Sequence, residues 1–376
     1  MNPSIGVFGF PGRYLQGPGA LRELGPLLGE LGVSRVAAVA DAAVRGAVGA
    51  SVEMALHSAG AAWQWLAFPG ECTVATIARL AEQARATGCD GVLALGGGKA
   101  IDTAKGVAKA LQTRLVIAPT VASNDSPTSR LIVIYDDAHR LAEVQSLLRN
   151  PDAVVVDTDV ICRAPLRFFA AGLGDALSKR FESAQCAASG GHNFFGGRPL
   201  GLALAMGERC YATLREDASA ALARVAAGLG PDEAVERVVE ATVLLSGLAF
   251  ESGGLSLAHA LNRGFTAHAL LSAALHGEMV AFGAIVQLIA QEESADFVQE
   301  HAAFTQSLGL PVCFADLGAP AVGQAEVLQI AELSCKAPYI GHLRPPATIQ
   351  RVADALWQAD ALGRRLQRRL KPSAAG

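Results

Sequence analysis

The chain has 376 residues, of which 51% are hydrophobic and 18% charged, a composition typical of a globular protein of about two domains. Its formal net charge is -4, and no block of Lys and Arg could neutralise a row of phosphates, which excludes a nucleic-acid partner. The seven cysteines are scattered singly, which excludes a disulfide framework or a thiolate metal site and favours a reducing cytoplasm.

The first residues contain no basic leader followed by an apolar segment, so they do not resemble an export signal. Elsewhere the long apolar stretches are rich in Ala and Gly, and charged residues interrupt them before they reach about 18 residues, the length of a membrane span. The sequence therefore predicts neither export nor a membrane partner.

Between residues 34 and 120, short apolar runs alternate with longer amphipathic ones. The apolar runs predict strands and the amphipathic runs predict helices, an alternation typical of a parallel, doubly wound sheet. The predicted strands are 34–41, 63–70, 91–98 and 114–120, and the predicted helices are 47–60, 73–90 and 99–113.

Residues 130–160 add further strand-like runs, with a turn at Asp136–Asp137 and a last strand that ends near Val160. From about Pro165 the chain changes character, because long Ala- and Leu-rich segments place apolar residues at helical spacing. The sequence thus predicts an α/β domain with a Rossmann-like sheet over residues 1–162, followed by an all-helical domain over residues 163–376.

The segment "LALGGGKAIDTAK" places three consecutive glycines, Gly96, Gly97 and Gly98, between a predicted strand and a predicted helix. Backbone N–H groups and the positive end of the helix dipole meet at such a point, and Cβ atoms would block a close approach to them. The spacing matches neither G-x-G-x-x-G nor a Walker A loop, so two interpretations stay open: a pyrophosphate site or a tight turn.

Acidic residues flank this motif. Asp41 ends the strand "RVAAVAD", where a carboxylate can accept hydrogen bonds from an adenosine ribose and repel a 2′-phosphate, which favours NAD over NADP; it is equally a candidate N-cap of the next helix. Asp102 and Lys105 share a helix face, as an ordinary surface pair also would.

The polar segment "APTVASNDSPTS" follows another strand, and loops at the carboxyl ends of parallel strands are where α/β folds bind ligands.

Six segments carry a resemblance to a known family: "GRYLQGPGALRELG", "GGGKAIDTAK", "APTVASNDSPTS", "GLGDALSKRFES", "ESGGLSLAHAL" and "HGEMVAFG". In order and spacing, from about Gly12 to about Gly283, they resemble the glycerol dehydrogenase branch of the metal-dependent, iron-containing type of alcohol dehydrogenases. The resemblance implies a dehydroquinate-synthase-like architecture, with NAD on the α/β domain, one divalent metal in the cleft and its ligands on the helical domain. It also implies a homo-oligomer.

The resemblance further implies that the amides of the glycine loop hold the pyrophosphate and that Asp102 helps to fix the nicotinamide end. Polar side chains of the "APTVASNDSPTS" loop would line the cofactor groove. The implied contacts with the cofactor are Asp41, Gly96, Gly97, Gly98, Lys99, Asp102, Thr120, Ser123, Ser129, Leu131 and Tyr135.

The metal ligands that the resemblance implies are Asp175, His259 and His276. Asp175 follows "AGLG" at the predicted start of a helix, where an anion is favoured. The two histidines lie 17 residues apart, about 260° around a continuous helix, so a break at Asn262–Gly264 is expected to let both face one point. Neutral imidazoles with one carboxylate suit zinc and leave one position open for substrate. The other histidines are expected to be ordinary hydrogen-bonded residues: His57, His139, His192, His268, His301 and His342.

Iron-dependent members of the family have a histidine four residues after the aspartate, where this chain has Lys179. A protonated amine has no lone pair to donate, so the sequence favours zinc over Fe²⁺ and places a cation beside the expected substrate pocket. In the alternative interpretations, Lys179 extends to solvent or pairs with Glu182.

The resemblance implies an enzyme that moves hydride between a small polyol or secondary alcohol and NAD, with zinc activating the hydroxyl. Asp125 would orient a neighbouring hydroxyl and Lys179 would contact the substrate. Because of Lys179, an anionic substrate (a 2-hydroxy acid or a glycerol phosphate) is the main alternative. A lyase like dehydroquinate synthase, or an NAD-binding module without catalysis, also stays open.

Overall fold

The structure, a computed structural model of the chain, describes residues 5–136 and 140–370. Asp137 of the predicted turn and His139 lie outside the described residues. The described residues divide into two compact units by their internal contacts: those within 9–169 with 220–247, and residues 5–8 with 170–219 and 248–370. Because residues 220–247 group with the first unit, the units are not continuous in sequence, and the functional division at residue 162 stays a prediction.

The first unit contains a six-stranded sheet in which every strand pairing is parallel, in the order β1-β8-β5-β4-β2-β3. A separate two-stranded antiparallel sheet pairs β6 with β7. The strands are β1 Tyr14–Gly17, β2 Arg35–Ala40, β3 Ala62–Ala67, β4 Gly91–Gly96, β5 Arg114–Pro119, β6 Leu131–Tyr135, β7 Leu141–Ser146 and β8 Ala153–Asp157.

Helices alternate with the parallel strands along the chain, as they do in a doubly wound sheet. The helices are α1 Leu24–Glu30, α2 Ala42–Ser58, α3 Val74–Ala86, α4 Gly98–Leu111 and α5 Thr158–Arg163. Central strands β4 and β8 are buried along their whole length, as near-continuous apolar runs in parallel sheets are. The predicted α/β fold with a parallel sheet is confirmed.

Two details of this sheet differ from the sequence prediction. Strand β1 was not predicted, because the four-residue segment "YLQG" is too short to show a pattern, but it pairs in parallel with β8. The last strand ends at Asp157 and not near Val160. Asp157 stops the strand because its carboxylate caps α5 and accepts hydrogen bonds from the backbone N–H groups of Gly19 and Leu21, each at 3.1 Å.

Every named element after β8 is a helix, among the residues that the structure describes. The α-helices are α6 Leu166–Ala176, α7 Lys179–Ala188, α8 Gly201–Ala226, α9 Glu233–Val239, α10 Ser246–Gly253, α11 Leu257–Ala260, α12 Asn262–Ala267, α13 His276–Ala290, α14 Ala295–Ser307, α15 Gln324–Ser334 and α16 Ile349–Leu370. A π-helical turn, Glu240–Leu245, separates α9 from α10. The predicted helical C-terminal region is confirmed.

Glycines allow helices of the second unit to approach closely. A Cβ on Gly174 in α6 would collide with the backbone oxygen of Gly277 in α13, and a Cβ on Gly283 would lie 2.7 Å from the backbone oxygen of Ala258 in α11. The absence of side chains at these positions therefore brings α6, α11 and α13 together.

No single helix within residues 5–136 and 140–370 is long and apolar enough to cross a membrane. One bent pair of consecutive helical segments, Glu233–Gly253 and Leu257–Ala267, meets the length and composition criteria jointly.

Candidate active site

Three helices of the second unit each present one metal-binding side chain to a common point. Asp175 lies in the last turn of α6, His259 lies in the short helix α11, and His276 is the first residue of α13. One ligand atom from each residue lies within 4.8 Å of the other two. The structure therefore brings together the three residues that the resemblance singles out.

The spacing of these atoms suits a small divalent ion. The Oδ1 atom of Asp175 lies 3.2 Å from Nε2 of His259 and 3.7 Å from Nε2 of His276. Ligands about 2.0–2.2 Å from a tetrahedral zinc ion are separated by about 3.3–3.6 Å, so small adjustments would let all three coordinate. The donor set of two imidazoles and one carboxylate also fits zinc, and it leaves a fourth position open.

Glu182 in α7 orients the His259 ring. Its carboxylate lies 2.6 Å from Nδ1 of His259 and also accepts hydrogen bonds from Ser178 Oγ and from the backbone N–H groups of Ser256 and His259. Because an ionised carboxylate only accepts, Nδ1 carries a hydrogen, and Nε2 is the ring nitrogen that faces Asp175 and Lys179. Carboxylate–histidine pairs of this kind fix the tautomer of metal ligands.

Lys179, the first residue of α7, completes the cluster. Its side chain has no exposed surface, and its Nζ donates to Oδ1 of Asp175 at 2.6 Å and to Nε2 of His259 at 3.0 Å. The ammonium also lies 5.6 Å from the ring centre of Phe250. The alternative in which Lys179 extends to solvent is wrong, because two acceptors hold the ammonium inside the cluster.

The buried carboxylates of the cluster are held in their ionised form. Burial alone would raise the pKa of Asp175, but the ammonium of Lys179 and the two imidazoles hold that pKa well below its usual range. The pKa of Glu182 is likewise lowered against the effect of burial, by the neighbouring His259 and Lys179 and by hydrogen bonds from the His259 ring and the backbone N–H of Ser256. The site therefore contains two ionised, buried carboxylates, Asp175 and Glu182, which attract cations.

Opposing influences act on His259. Burial and the charge of Lys179 act to lower the pKa of the ring, whereas the carboxylate of Glu182 acts to raise it. The contact of Lys179 with Nε2 nevertheless requires a neutral ring, because an ammonium only donates and a protonated nitrogen cannot accept. The neutral form with hydrogen on Nδ1 is the one that matches this geometry.

Two local predictions about this cluster are wrong. Asp175 lies near the C-terminal end of α6 and not at the start of a helix, because the glycines of "AGLG" lie inside α6 and serve helix packing. The predicted break at Asn262–Gly264 lies within α12, and the boundary between α11 and α12 falls one residue earlier, at Leu261. A Cβ on Gly264 would be 2.6 Å from the backbone oxygen of Ile330, so this glycine permits close packing. The turn between the histidines comes after α12, at residues 268–275.

The glycine loop of the first unit forms a backbone cradle between β4 and α4. Gly96 has a φ of 136°, a conformation that favours glycine, and Gly97 caps α4 without a side-chain hydrogen bond. A Cβ on Gly98 would lie 2.9 Å from Nδ2 of Asn124, and one on Gly97 would lie 3.2 Å from Val121. The loop after β5 thus packs closely against the N-terminus of α4, and the first N–H groups of a helix are groups that can bind a phosphate.

Asp41 borders a cavity of about 430 Å³ at the carboxyl ends of β2 and β3. Its carboxylate accepts a hydrogen bond from the backbone N–H of Val44 at 2.7 Å, so the N-cap interpretation is correct. The same cavity is lined by Arg45 and Trp65, whose guanidinium and ring are stacked 5.1 Å apart. Since β2 and β4 are neighbours where the strand order reverses, Asp41 and the glycine loop flank the switch point of the sheet.

Asp102 and Lys105 form a buried structural pair and not a surface one. Lys105 Nζ donates to Oδ1 of Asp102 at 3.0 Å and to the backbone oxygens of Ser126 and Leu131, each at 2.8 Å. Oδ1 of Asp102 also accepts from Ser126 Oγ, and Oδ2 accepts from the backbone N–H of Val133. Asp102 therefore ties the polar loop to α4; a contact with the nicotinamide end stays a prediction.

The polar loop itself is anchored from two sides. The backbone N–H of Thr120 donates to Gly96, which joins the loop to the glycine cradle. Asp125 is buried and accepts a hydrogen bond from Ser246 Oγ at 3.1 Å, directly after the π-helical turn. The hydroxyl of Ser129 is buried next to Lys105, so its role toward a cofactor stays a prediction, as does that of Ser123.

In the same unit, Lys99 pairs with Glu71 at 2.6 Å and lies 4.9 Å above the ring of Tyr135.

The structure also contains two functional candidates that the sequence did not predict. Sequence spacing pairs Glu182 only with Lys179, because its partner His259 is distant in sequence. Arg45 had no sequence signal, since a single arginine in a helix is ordinary.

Among the remaining histidines of the described chain, His301 is fully buried with Tyr211, His268 pairs with Glu326 at 3.1 Å, and His57 is exposed. Within residues 5–136 and 140–370, one group of at least three His, Cys, Asp or Glu side chains brings its ligand atoms this close together. It consists of Asp175, His259 and His276.

Comparisons with a family model, with known sequences and with solved structures all indicate the same enzyme family. Residues 11–158 match the family model described as iron-containing alcohol dehydrogenase. The chain is 39% identical over 354 residues to the glycerol dehydrogenase of Pseudomonas putida, covering 94% of this chain and 96% of the relative. It is 38% identical over 364 residues to the glycolaldehyde reductase of Halobacterium salinarum, covering 96% and 99%. The crystal structure of glycerol dehydrogenase from Schizosaccharomyces pombe superposes with a TM-score of 0.92 at 31% identity, covering 99% and 97%.

Proposed function

The chain belongs to the glycerol dehydrogenase branch of the iron-containing alcohol dehydrogenase family, and on that premise we propose that it is an NAD-dependent, zinc-dependent oxidoreductase of small polyols. Oxidation of the polyol to a carbonyl compound would transfer a hydride from its carbon to bound NAD and release the hydroxyl proton to water. The cofactor is held by residues 1–162 and the metal by residues 163–376, as the sequence predicts.

The observation that carries this proposal is the convergence of Asp175, His259 and His276 from three helices. When bound, the metal would supply Lewis acidity to a hydroxyl of the substrate, and NAD would supply the hydride acceptor. Glu182 keeps the hydrogen of His259 on Nδ1, so that Nε2 is a ligand. His276, whose side chain is 43% exposed, leaves the open side of the cluster accessible to substrate.

Residues of the first unit bind and orient the cofactor. The amides at the start of α4 hold the pyrophosphate, because Gly97 and Gly98 carry no side chain there. Asp41 borders the neighbouring cavity, where its charge would repel a 2′-phosphate and thus favour NAD over NADP. Asp125 orients a hydroxyl of the substrate.

Zinc is favoured over iron because Lys179 stands where iron-dependent members of the family have a fourth ligand, so that three protein ligands remain, as in catalytic zinc sites. A neutral substrate is favoured over an anionic one by the names of the similar enzymes. The two relatives described above are named for glycerol and for glycolaldehyde, which are both neutral. All seven cysteines are free thiols, in keeping with a cytoplasmic enzyme; the homo-oligomer rests on the family alone.

The proposal is tested by NADH formation with glycerol. Chelator-treated protein should lose activity and recover it with added zinc, whereas His259→Ala should stay inactive. The exposed His57 offers a matched control, and His57→Ala should keep the activity of the unchanged protein. Equal loss in both variants would contradict the ligand assignment. Activity with 2-hydroxy acids or glycerol phosphate, but not with glycerol, would favour the anionic alternative, and absence of net NADH formation would favour a lyase.

A further inference from the structure

Lys179 contacts the same atoms that the proposed metal would need. Its Nζ lies 2.6 Å from Oδ1 of Asp175 and 3.0 Å from Nε2 of His259, and those two atoms are 3.2 Å apart. The ammonium therefore lies against one edge of the ligand triangle, with no exposed surface of its own.

We propose that Lys179 is an internal competitor of the divalent metal, so that the ammonium and the ion occupy the ligands in turn. This inference rests on the metal site of the proposed function. Binding of the metal requires the Lys179 side chain to leave, and loss of the metal allows it to return. The chain thus carries its own replacement cation and binds metal reversibly.

The reason for mutual exclusion lies in the single lone pair of His259 Nε2. Because Glu182 engages Nδ1, Nε2 is the only ring atom turned toward Asp175. That lone pair either accepts a hydrogen bond from Lys179 or coordinates a metal, but it cannot do both. An ammonium that stayed within hydrogen-bond distance of Asp175 Oδ1 would also repel a divalent ion bound to the same oxygen.

The competition has a structural consequence for the metal-free protein. Asp175 and Glu182 are buried carboxylates, with exposed fractions of 1% and 0%, and buried carboxylates without a compensating cation are strongly destabilising. Lys179 supplies that compensation when no metal is bound. The flexible four-carbon stem of a lysine allows it to give way when the ion arrives.

The test measures zinc affinity directly and does not depend on activity. Metal-free forms of the unchanged protein, Lys179→Met and the control Lys336→Met are titrated with zinc against a chromophoric chelator at one pH. Lys336 is an exposed lysine of the same unit, paired only on the surface with Glu332 at 2.9 Å, so its loss changes net charge equally. Lys179→Met should bind zinc about ten- to a hundredfold more tightly, since it no longer forms a charge-assisted hydrogen bond with the ligands. Lys336→Met should match the unchanged protein.

A second measurement separates competition from a merely structural role. Metal-free Lys179→Met should melt at a lower temperature than the unchanged protein, and zinc should raise its melting temperature by more. Lys179→Gln, which keeps a neutral donor near Asp175, provides the same comparison if the methionine variant does not fold. Equal or weaker zinc affinity in the Lys179 variants would overturn the competition while leaving the metal site intact. Absence of zinc binding in all proteins would overturn the metal site as well.

Discussion

Each unit of the molecule contains a buried Lys–Asp pair, and the two pairs differ in what surrounds them. Lys105 and Asp102 lie in α4, three residues apart, with Nζ and Oδ1 separated by 3.0 Å. Lys179 and Asp175 lie four residues apart, with Nζ and Oδ1 separated by 2.6 Å. By sequence spacing and burial alone the two pairs are nearly equivalent.

The surroundings give the pairs different chemistry. Lys105 is enclosed by hydroxyl and carbonyl oxygens of Ser126, Ser129 and Leu131, and both oxygens of Asp102 accept hydrogen bonds from the protein. Lys179 instead contacts Nε2 of His259, and the ring of His276 in the same cluster is half-exposed. A buried pair saturated by oxygens stabilises a loop, whereas a pair that shares its carboxylate with imidazoles has ligands to offer to another cation.

The largest expected effect concerns the saturated pair. Lys105→Met would leave the Asp102 carboxylate buried without its cation, and breaking a buried pair in this way costs about 3–5 kcal/mol. Urea unfolding should therefore show a large loss in the free energy of unfolding. Lys109→Met removes an exposed lysine from the same helix and should change that free energy by no more than about 0.5 kcal/mol. Comparable values for the two variants would contradict the structural role of the Lys105 pair.

The second prediction concerns the orientation of His259. Glu182→Gln keeps the shape of the side chain but weakens its hold on Nδ1, and changes in such outer partners typically reduce metal affinity about ten- to a hundredfold. Zinc titration should show this loss, in the direction opposite to that of Lys179→Met. Glu208→Gln, at an exposed glutamate paired with Arg180, is the control. Unchanged zinc affinity in Glu182→Gln would mean that the carboxylate serves only the fold.

His301 provides a buried imidazole without a carboxylate. Its Nδ1 lies 3.2 Å from the hydroxyl of Tyr211, its Nε2 has no partner among the described residues, and burial with the charge of Arg215 lowers its pKa to about 3. Because the unfolded chain has a histidine pKa of about 6.5, it binds a proton that the native protein does not, and stability falls as pH drops below about 6.5. Between pH 7 and pH 5 this group alone costs about 2 kcal/mol.

His301→Phe removes this proton linkage and retains an aromatic ring beside Phe181 and Phe297. Urea unfolding at pH 7 and pH 5 should therefore show a smaller acid loss in the variant than in the unchanged protein, by about 2 kcal/mol. An identical acid loss would indicate that His301 is protonated in the native state.

Asp41 is an intermediate case, because it caps a helix and also borders the cavity of about 430 Å³ that we propose for the cofactor. Asp41→Ser and Asp41→Ala both remove the charge, but only serine keeps the cap. Both variants should narrow the preference for NAD over NADP, measured as the ratio of kcat/KM values. Only Asp41→Ala should lose about 1 kcal/mol of stability. An unchanged cofactor preference in both would limit Asp41 to its capping role.

Sequence patterns predicted most of the fold because the central strands and long helices have strong periodicity. Strand β4 was predicted at 91–98 and spans Gly91–Gly96, since an apolar run bounded by glycines allows few alternatives. Strand β1 was missed because four residues carry no period. Asp175 was placed at the wrong end of its helix because glycines used for helix packing resemble those of a turn.

The sequence predicted the site residues that lie in recognisable motifs, but it did not predict contacts between residues that are distant in sequence. The three proposed ligands followed from the family resemblance. The contact between Glu182 and His259 spans 77 residues, and burial of Lys179 depends on acceptors from two helices, so neither follows from local sequence.

The number of zinc ions bound per chain tests the proposed metal centre most directly. Chelator-treated protein is reloaded with zinc, separated from free metal and measured by inductively coupled plasma mass spectrometry. The unchanged protein and His268→Ala, which alters a histidine paired with Glu326, should each retain about one zinc ion, whereas His259→Ala and His276→Ala should retain far less. Equal zinc content in all four proteins would show that the metal does not bind at Asp175, His259 and His276.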